Sequence, residues 1–461
     1  MCSVSSAVSG ETLAVLDLDE GKTGKEIKQS LAAQIGVTRF RQRIWLEDSS
    51  REVEDDEVVT SEKLRLVVLE FWPPDFEEDT KMIDAARNNE VGTLENLLKC
   101  PRNPNTELGG GTPLHYAAAR GQMDSLRLLL EARADKDARD SGPQGWTPLL
   151  LAAQNGQVDA VSFLLEAGVD VSLATCDLGG TVFHIAAERG QTEVVDLLIQ
   201  AGVEKERGRT HDGATPLYVA AQNGHAGIAR LLIESGVDLD QVKFDSGATA
   251  LYIAAQFGHV PVVHLLVEAG ADMEKSLNTS STTGATPSYI AAHQGNAEVV
   301  RVLLEHGADC NQATIDDGFT LLHIATQEGR VEVVRVLIDF GADVNKAKTD
   351  TGATPLFIAA LTDQVEIARL LLEANADVDE PLNTTGATPL FIAAGKGHVE
   401  MLRLLIDAGA DRDAATTDFG VTPLFIAVQN EHIDAAGLLI ESGVNVVKTL
   451  SVGQHLKAPK A

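Results

Sequence analysis

The stretch TPLHYAAARG, Thr112–Gly121, recurs with small changes along the chain. It returns as TPLLLAAQNG at Thr147 and TVFHIAAERG at Thr181, then at Thr215, Thr249, Thr286, Thr320, Thr354, Thr388 and Thr422. The successive spacings are 35, 34, 34, 34, 37, 34, 34, 34 and 34 residues. A fixed period of this size marks an array of stacked units, because one unit cannot bury its apolar face alone.

Each unit reads as two short helices and an extended arm. Thr and Pro open the first helix: the Thr hydroxyl caps free N–H groups, and Pro, which has none, fits the first turn. An Ala pair such as Ala220-Ala221 lets neighbouring helices approach closely. Gly224 then stops the helix in a left-handed turn. The second helix carries an apolar stripe (Ile228, Leu231, Leu232) and ends at Gly236. Residues such as GADVNKAKTDTGA from Gly341 are turn formers and predict a projecting hairpin finger.

This pattern resembles the ankyrin repeat over roughly residues 80–447. The T-P-L-x-x-A-A-x-x-G and G-A-D-x-N segments carry the likeness. The period is one residue longer than the family's usual spacing of about 33, and the extra residue falls in the finger. The fourth motif position, often His in the family, is His at His115, His184 and His323. Elsewhere it is Tyr218, Tyr252, Tyr289, Phe357, Phe391, Phe425 or Leu150, which we read as altered packing and not as a site. An atypical first unit from Thr80, with Ala85-Ala86 and a polar flank, serves as an N-terminal cap and brings the units to eleven. The last unit has no obvious polar cap; Val444, Val446 and Val447 could fold over it. Residues 448–461 form a basic tail expected to be disordered.

Residues 1–72 do not repeat. They read as strands over SVSSAV and TLAVLDL, a helix over about Thr23–Ile35, and strands over RQRIWLE and KLRLVVLEF. Leu16 and Leu18 share a buried strand face, and Ile27, Leu31 and Ile35 line one side of a helix stopped by Gly36. This small α+β domain resembles the ubiquitin-like β-grasp, with residues 73–79 as linker. No terminal Gly-Gly is present, so conjugation is not implied. The resemblance implies a docking surface, and strand alternation puts Arg43, Trp45, Arg65 and Val67 on the outward face. The alternative is that Trp45 packs on Trp72 or on the first repeat.

The expected fold is therefore mainly α: a helical solenoid preceded by a small α+β domain. In 461 residues there are 37 Lys+Arg and 68 Asp+Glu, a formal charge of −31. Phosphate backbones would repel such a chain, so nucleic acid is not an expected partner. Residues 1–80 hold 9 basic and 18 acidic groups, so the acidity is shared and not confined to a tail. No apolar run is long enough to span a bilayer. The four scattered cysteines and the lack of a secretory start suggest a reduced compartment, cytoplasmic or nuclear.

No catalytic constellation is evident. Gly21-Lys22-Thr23 lacks the upstream Gly of a phosphate loop, which would fall at Leu16. His225, His259 and His398 follow the inter-helix Gly at one-repeat spacing, too far apart to share a metal. Asp135, Asp238, Asp272, Asp343 and Asp377 recur in the G-x-D turn, with Arg133 and Asn375 in place of the Gly before the first and last, and are expected to hold local N–H groups. No cofactor is expected. The resemblance implies that the fingertips and the two residues after the Ala pair vary most freely; here those places hold Trp146, Arg209, His211, Phe244, Phe257, Phe319 and Phe419. Aromatics and Arg dominate interface hot spots, so these are the candidate contacts of a non-enzymatic adaptor, with acidic rims suited to basic proteins. Two other readings stay open: a ubiquitin-pathway adaptor, and a regulatory or inhibitory subunit of an enzyme. The finger LNTSSTTGATP, Leu277–Pro287, exceeds its near duplicate LNTTGATP, Leu382–Pro389, by three residues around Ser280–Thr282. That insertion is a candidate modification site or a tolerated surface loop.

Overall fold

A computed structural model describes all residues except 1, 7–11, 17–21, 36, 47–50, 60–62, 72, 101, 280–281, 315–316 and 447–461. The chain divides into two compact units, Met1–Asp212 and Gly213–Ala461. The division falls between consecutive repeats and not after the N-terminal domain.

The first unit opens with strands β1 (Cys2–Ser6) and β2 (Thr12–Leu16), helix α1 (Gly24–Ile35), and strands β3 (Gln42–Leu46), β4 (Arg51–Glu52) and β5 (Lys63–Val68). They form one sheet in the order β2-β1-β5-β3-β4, with β1 and β5 parallel at its centre. Val4, Ala14, Ile44, Leu64 and Leu66 point inward and meet Ile27 and Leu31 of α1, while Ile35 packs at the margin. These are the faces that strand alternation and helical spacing predict. Leu18, Gly36 and Trp72 lie outside the described residues.

Four helix pairs follow in this unit. The first is α2 (Phe76–Asn88) with α3 (Val91–Lys99), and the second is α4 (Pro113–Arg120) with α5 (Met123–Glu131). The first helix was expected to open at Thr80; it begins at Phe76 instead. Asp75 supplies the cap, its carboxylate accepting from the N–H groups of Glu77 and Glu78, and Thr80 only returns a bond to the Phe76 carbonyl. The segment 73–79 is thus part helix, because an Asp N-cap competes well against Thr. Seven further pairs make up the described part of the second unit, from Pro216–Gln222 with Ala226–Glu234 to Pro423–Gln429 with Ile433–Glu441.

Within each pair the sequence signals act locally. The Thr215 hydroxyl accepts from the Tyr218 N–H, 3.1 Å away, and Gly224 takes a φ of +72°. Ala220 and Ala221 are fully buried. The arms close as fingers by bonds such as Lys243 N–H to Ala248 O (3.0 Å) and Lys348 N–H to Ala353 O (3.0 Å). Among the described residues, the lengthened finger alone of the fingers forms paired strands, Leu277–Thr279 with Thr282–Ala285; Ser280 and Ser281 lie outside the described residues.

The third motif position is Leu in eight of the ten TP-type units and exceptional in two, Phe183 and Ser288. Ser288 is buried, and its Oγ has no hydrogen-bond partner among the described residues. A buried unpaired hydroxyl costs free energy where the other units gain it from Leu. Ser288→Leu is expected to raise stability by about 1–2 kcal/mol, read as a later midpoint in chemical denaturation. An earlier midpoint would show that the neighbours have closed over the smaller side chain. At the far end Val428 replaces the second Ala of the pair. Val428, Ile433 and Ile440 are exposed there, Val444 is buried, Val446 is exposed, and Val447 lies outside the described residues.

Candidate partner-binding surface

Two polar ladders set the fingers and first helices in register. In five fingers the Asp of the turn after the second helix accepts from the N–H two residues on: Asp135 from Asp137, Asp238 from Asp240, Asp272 from Glu274, Asp343 from Asn345 and Asp377 from Asp379. The third residue then reaches the next finger. Asp137 Oδ1 accepts from Asp170 N–H at 2.7 Å, and Asn345 Oδ1 from Asp377 N–H at 2.8 Å. Part of the acidity is therefore architectural. A second row joins the helices: His259 Nε2 meets Gln222 O at 3.0 Å and His398 Nδ1 meets Ala360 O at 3.0 Å. Each holds a carbonyl at the end of the preceding first helix, a group left unpaired by the helix itself.

The fourth motif position points inward. His115 Nδ1 accepts from the Thr112 N–H (3.1 Å), leaving Nε2–H to donate to Trp146 O (3.0 Å). His323 repeats this with Thr320 N–H (3.1 Å) and Ala353 O (3.1 Å). Burial pushes the His115 imidazole below its ordinary pKa and that of His323 down to about 4. Where Tyr replaces His, burial does the opposite: the Tyr252 phenol is pushed up to about 12, with Tyr289 and Tyr218 nearby. All of these groups are neutral at pH 7.

The seven proposed contacts of the array fall into different settings. Trp146 and Arg209 come together. They line one cleft of about 220 Å3 in the first unit, with Leu178, His184, Glu188 and Arg189. The Trp146 indole N–H donates to Gln144 Oε1 at 2.8 Å, which fixes the ring, and Arg209 lies 3.9 Å from Asp212. His211 is exposed on the same finger row. In the second unit Phe244 is 73% exposed, Phe257 53% and Phe419 68%. One face of Phe244 covers Gly213, where a Cβ would come within 2.6 Å of the ring and where φ is +73°. Phe257 stacks on His259, with centroids 6.1 Å apart. Phe319 is the exception: it is only 9% exposed, tilted against His323 (5.3 Å) and under the Lys348 ammonium (5.0 Å).

In the N-terminal sheet Arg43 stands directly opposite Val67, and Trp45 opposite Arg65. Trp45 and Val67 are half-buried, and Arg65 is exposed. Arg43 is already engaged, with Nε 3.0 Å from Glu52 and Nη2 donating to Lys99 O at 2.5 Å. Sequence reasoning missed Arg39 entirely, a buried arginine with no periodic signal around it. Gln144 and Arg189, which complete the Trp146 cleft, were also missed.

Among the described residues no three His, Cys, Asp or Glu side chains converge as metal ligands, and no helix is long and apolar enough to cross a membrane. No curated protein matches the chain. A family model for Ankyrin repeats (3 copies) matches residues 82–175, 172–243, 238–314, 273–348, 289–381 and 378–449. Ankyrin repeats generally mediate protein–protein interaction. Matched without a gap from residue 82 to residue 449, well over half of its length, the chain belongs to the ankyrin repeat family.

Proposed function

We propose that the chain is a non-enzymatic scaffold or adaptor that binds partner proteins on the surface formed by its fingers and first helices. The observation that carries this reading is the exposure of Phe244, Phe257 and Phe419. Each stands where most other repeats manage with small or polar residues, so the array itself does not need the ring. Such rings are the usual anchors of an interface. The Trp146–Arg209 cleft adds an aromatic wall and a cation already held in place. The formal charge of −31 suits basic partners and speeds their encounter.

A second reading is favoured by the sheet. The order β2-β1-β5-β3-β4, with a helix between β2 and β3, supports a ubiquitin-like N-terminal domain. The outward Trp45–Arg65 pair supports docking on ubiquitin-pathway proteins, with the repeats choosing the substrate.

One pull-down from cell extract tests both, comparing the full chain with Trp146→Ala, Phe257→Ala and Trp45→Ala. The array variants are expected to weaken partner capture by at least about thirtyfold, the effect of one hot spot. An unchanged partner list would show that the chosen surface is wrong. Loss of ubiquitin-pathway proteins with Trp45→Ala alone supports the second reading, and the absence of any Trp45-dependent partner refutes it.

A further inference from the structure

The turn Arg39–Arg41 that leads into β3 carries a charge the sheet does not need. The Arg39 side chain is 1% exposed, yet three carboxylates surround it: Asp55 of its own domain at 3.4 Å, Glu95 on α3 at 3.2 Å and Glu131 on α5 at 2.5 Å. Two lysines complete the cluster. Lys28 of α1 lies 2.8 Å from Asp55, and Lys99 at the end of α3 lies 3.4 Å from Asp55 and 3.9 Å from Glu95. Three cations thus face three carboxylates, balanced in charge. Two hydrogen bonds with one charged partner each run the same way: Gln29 Nε2 donates to the Glu131 carboxylate at 2.7 Å, and the Arg43 guanidinium donates through Nη2 to the Lys99 carbonyl at 2.5 Å.

Glu95 and Glu131 belong to the second helices of the first two repeats, so these contacts straddle both. Burying a guanidinium is costly unless its partners stay in place. Separating the domain from the repeats would remove two of the three carboxylates and leave Arg39 with one. Arg is suited to the task, because its planar fork reaches several acceptors at once and cannot shed its proton.

We propose that this cluster is an ionic latch, with Arg39 as its hub, that fixes the N-terminal domain across the second helices of the first two repeats. The domain then moves as one body with the first two repeats and is not a tethered module, and Arg43 is occupied inside the molecule until the latch opens. The inference stands whether or not the sheet docks on another protein.

Hydrogen exchange on the full chain tests it, comparing wild type with Glu95→Lys/Glu131→Lys. Both glutamates are partly exposed on stable helices, so the repeats should tolerate the change. The amides of residues 39–41 and of Leu97–Cys100 are expected to exchange at least about tenfold faster. Those of Ile44, Leu64 and Leu66 in the sheet core should be unchanged. Unchanged exchange at 39–41 would overturn the latch. So would equal acceleration of the core strands, because the cluster would then be holding the domain's own fold together.

Discussion

Phe183→Ala is expected to destabilise the first unit by about 3–5 kcal/mol, the cost of truncating a buried aromatic ring that leaves a cavity behind. Phe183 is fully buried at the third motif position, where eight other units carry Leu. Its helix, Val182–Arg189, packs against the first helix Pro148–Gln154, and the Ala pair Ala186-Ala187 is fully buried. Collapse around the gap is therefore limited. In a solenoid each unit leans only on its neighbours, so the damage should be local. Denaturation followed by hydrogen exchange should show faster opening of the helices 148–166 and 182–200. Phe183→Leu restores the repeated residue and should cost far less, near the 1.5 kcal/mol limit for a conservative core swap, roughly. A loss under about 1 kcal/mol for Phe183→Ala would mean that the site is loosely packed.

Acid is the second strong lever, and His323 is where it acts. Its imidazole titrates near 4 in the folded chain, mainly because it is buried, against an ordinary value of 6.5. Protonation would also replace the acceptor at Nδ1 that holds the Thr320 N–H. Since the folded pKa is the lower one, the unfolded chain takes up the proton first. Stability is thus full above pH 6.5 and is lost as pH falls toward 4, by about 3 kcal/mol for this residue. His115 is shifted in the same direction for the same reason. Carboxylates titrate over the lower part of that range, so the comparison must isolate the imidazole. His323→Phe copies the residue at Phe357 and removes the titration. Its loss of stability between pH 7 and 4 should be smaller than that of wild type by that amount. Parallel pH profiles would show that the imidazole is not the sensing group.

The repeats were legible in detail because their determinants are local. Thr215 capping Tyr218, Gly224 turning left-handed, and Asp343 holding the Asn345 N–H are each completed within a few residues. The faces of the N-terminal strands were legible for a related reason: alternation alone puts Ile44 and Leu64 inside and Trp45 and Arg65 outside, while the register that sets Trp45 opposite Arg65 came only with the structure. Where reading failed, a competitor lay nearby or far away. Asp75 displaced Thr80 as the cap of α2. Phe319 looked like a free fingertip, but His323 and Lys348 enclose it.

The sequence by itself determined the period, the helix pairs, the glycine turns and the number of units, since each depends on contacts within a repeat or with its identical neighbour. The tertiary structure decided what depends on unlike surfaces meeting. It placed Trp146 and Arg209, 63 residues apart, in one cleft. It covered Gly213 with Phe244. It also gathered Asp55, Glu95 and Glu131 around Arg39. No periodicity announces a charge that is stable only because three distant carboxylates surround it. Its burial follows from the way two different folds lie against each other, and that is settled only when both are formed.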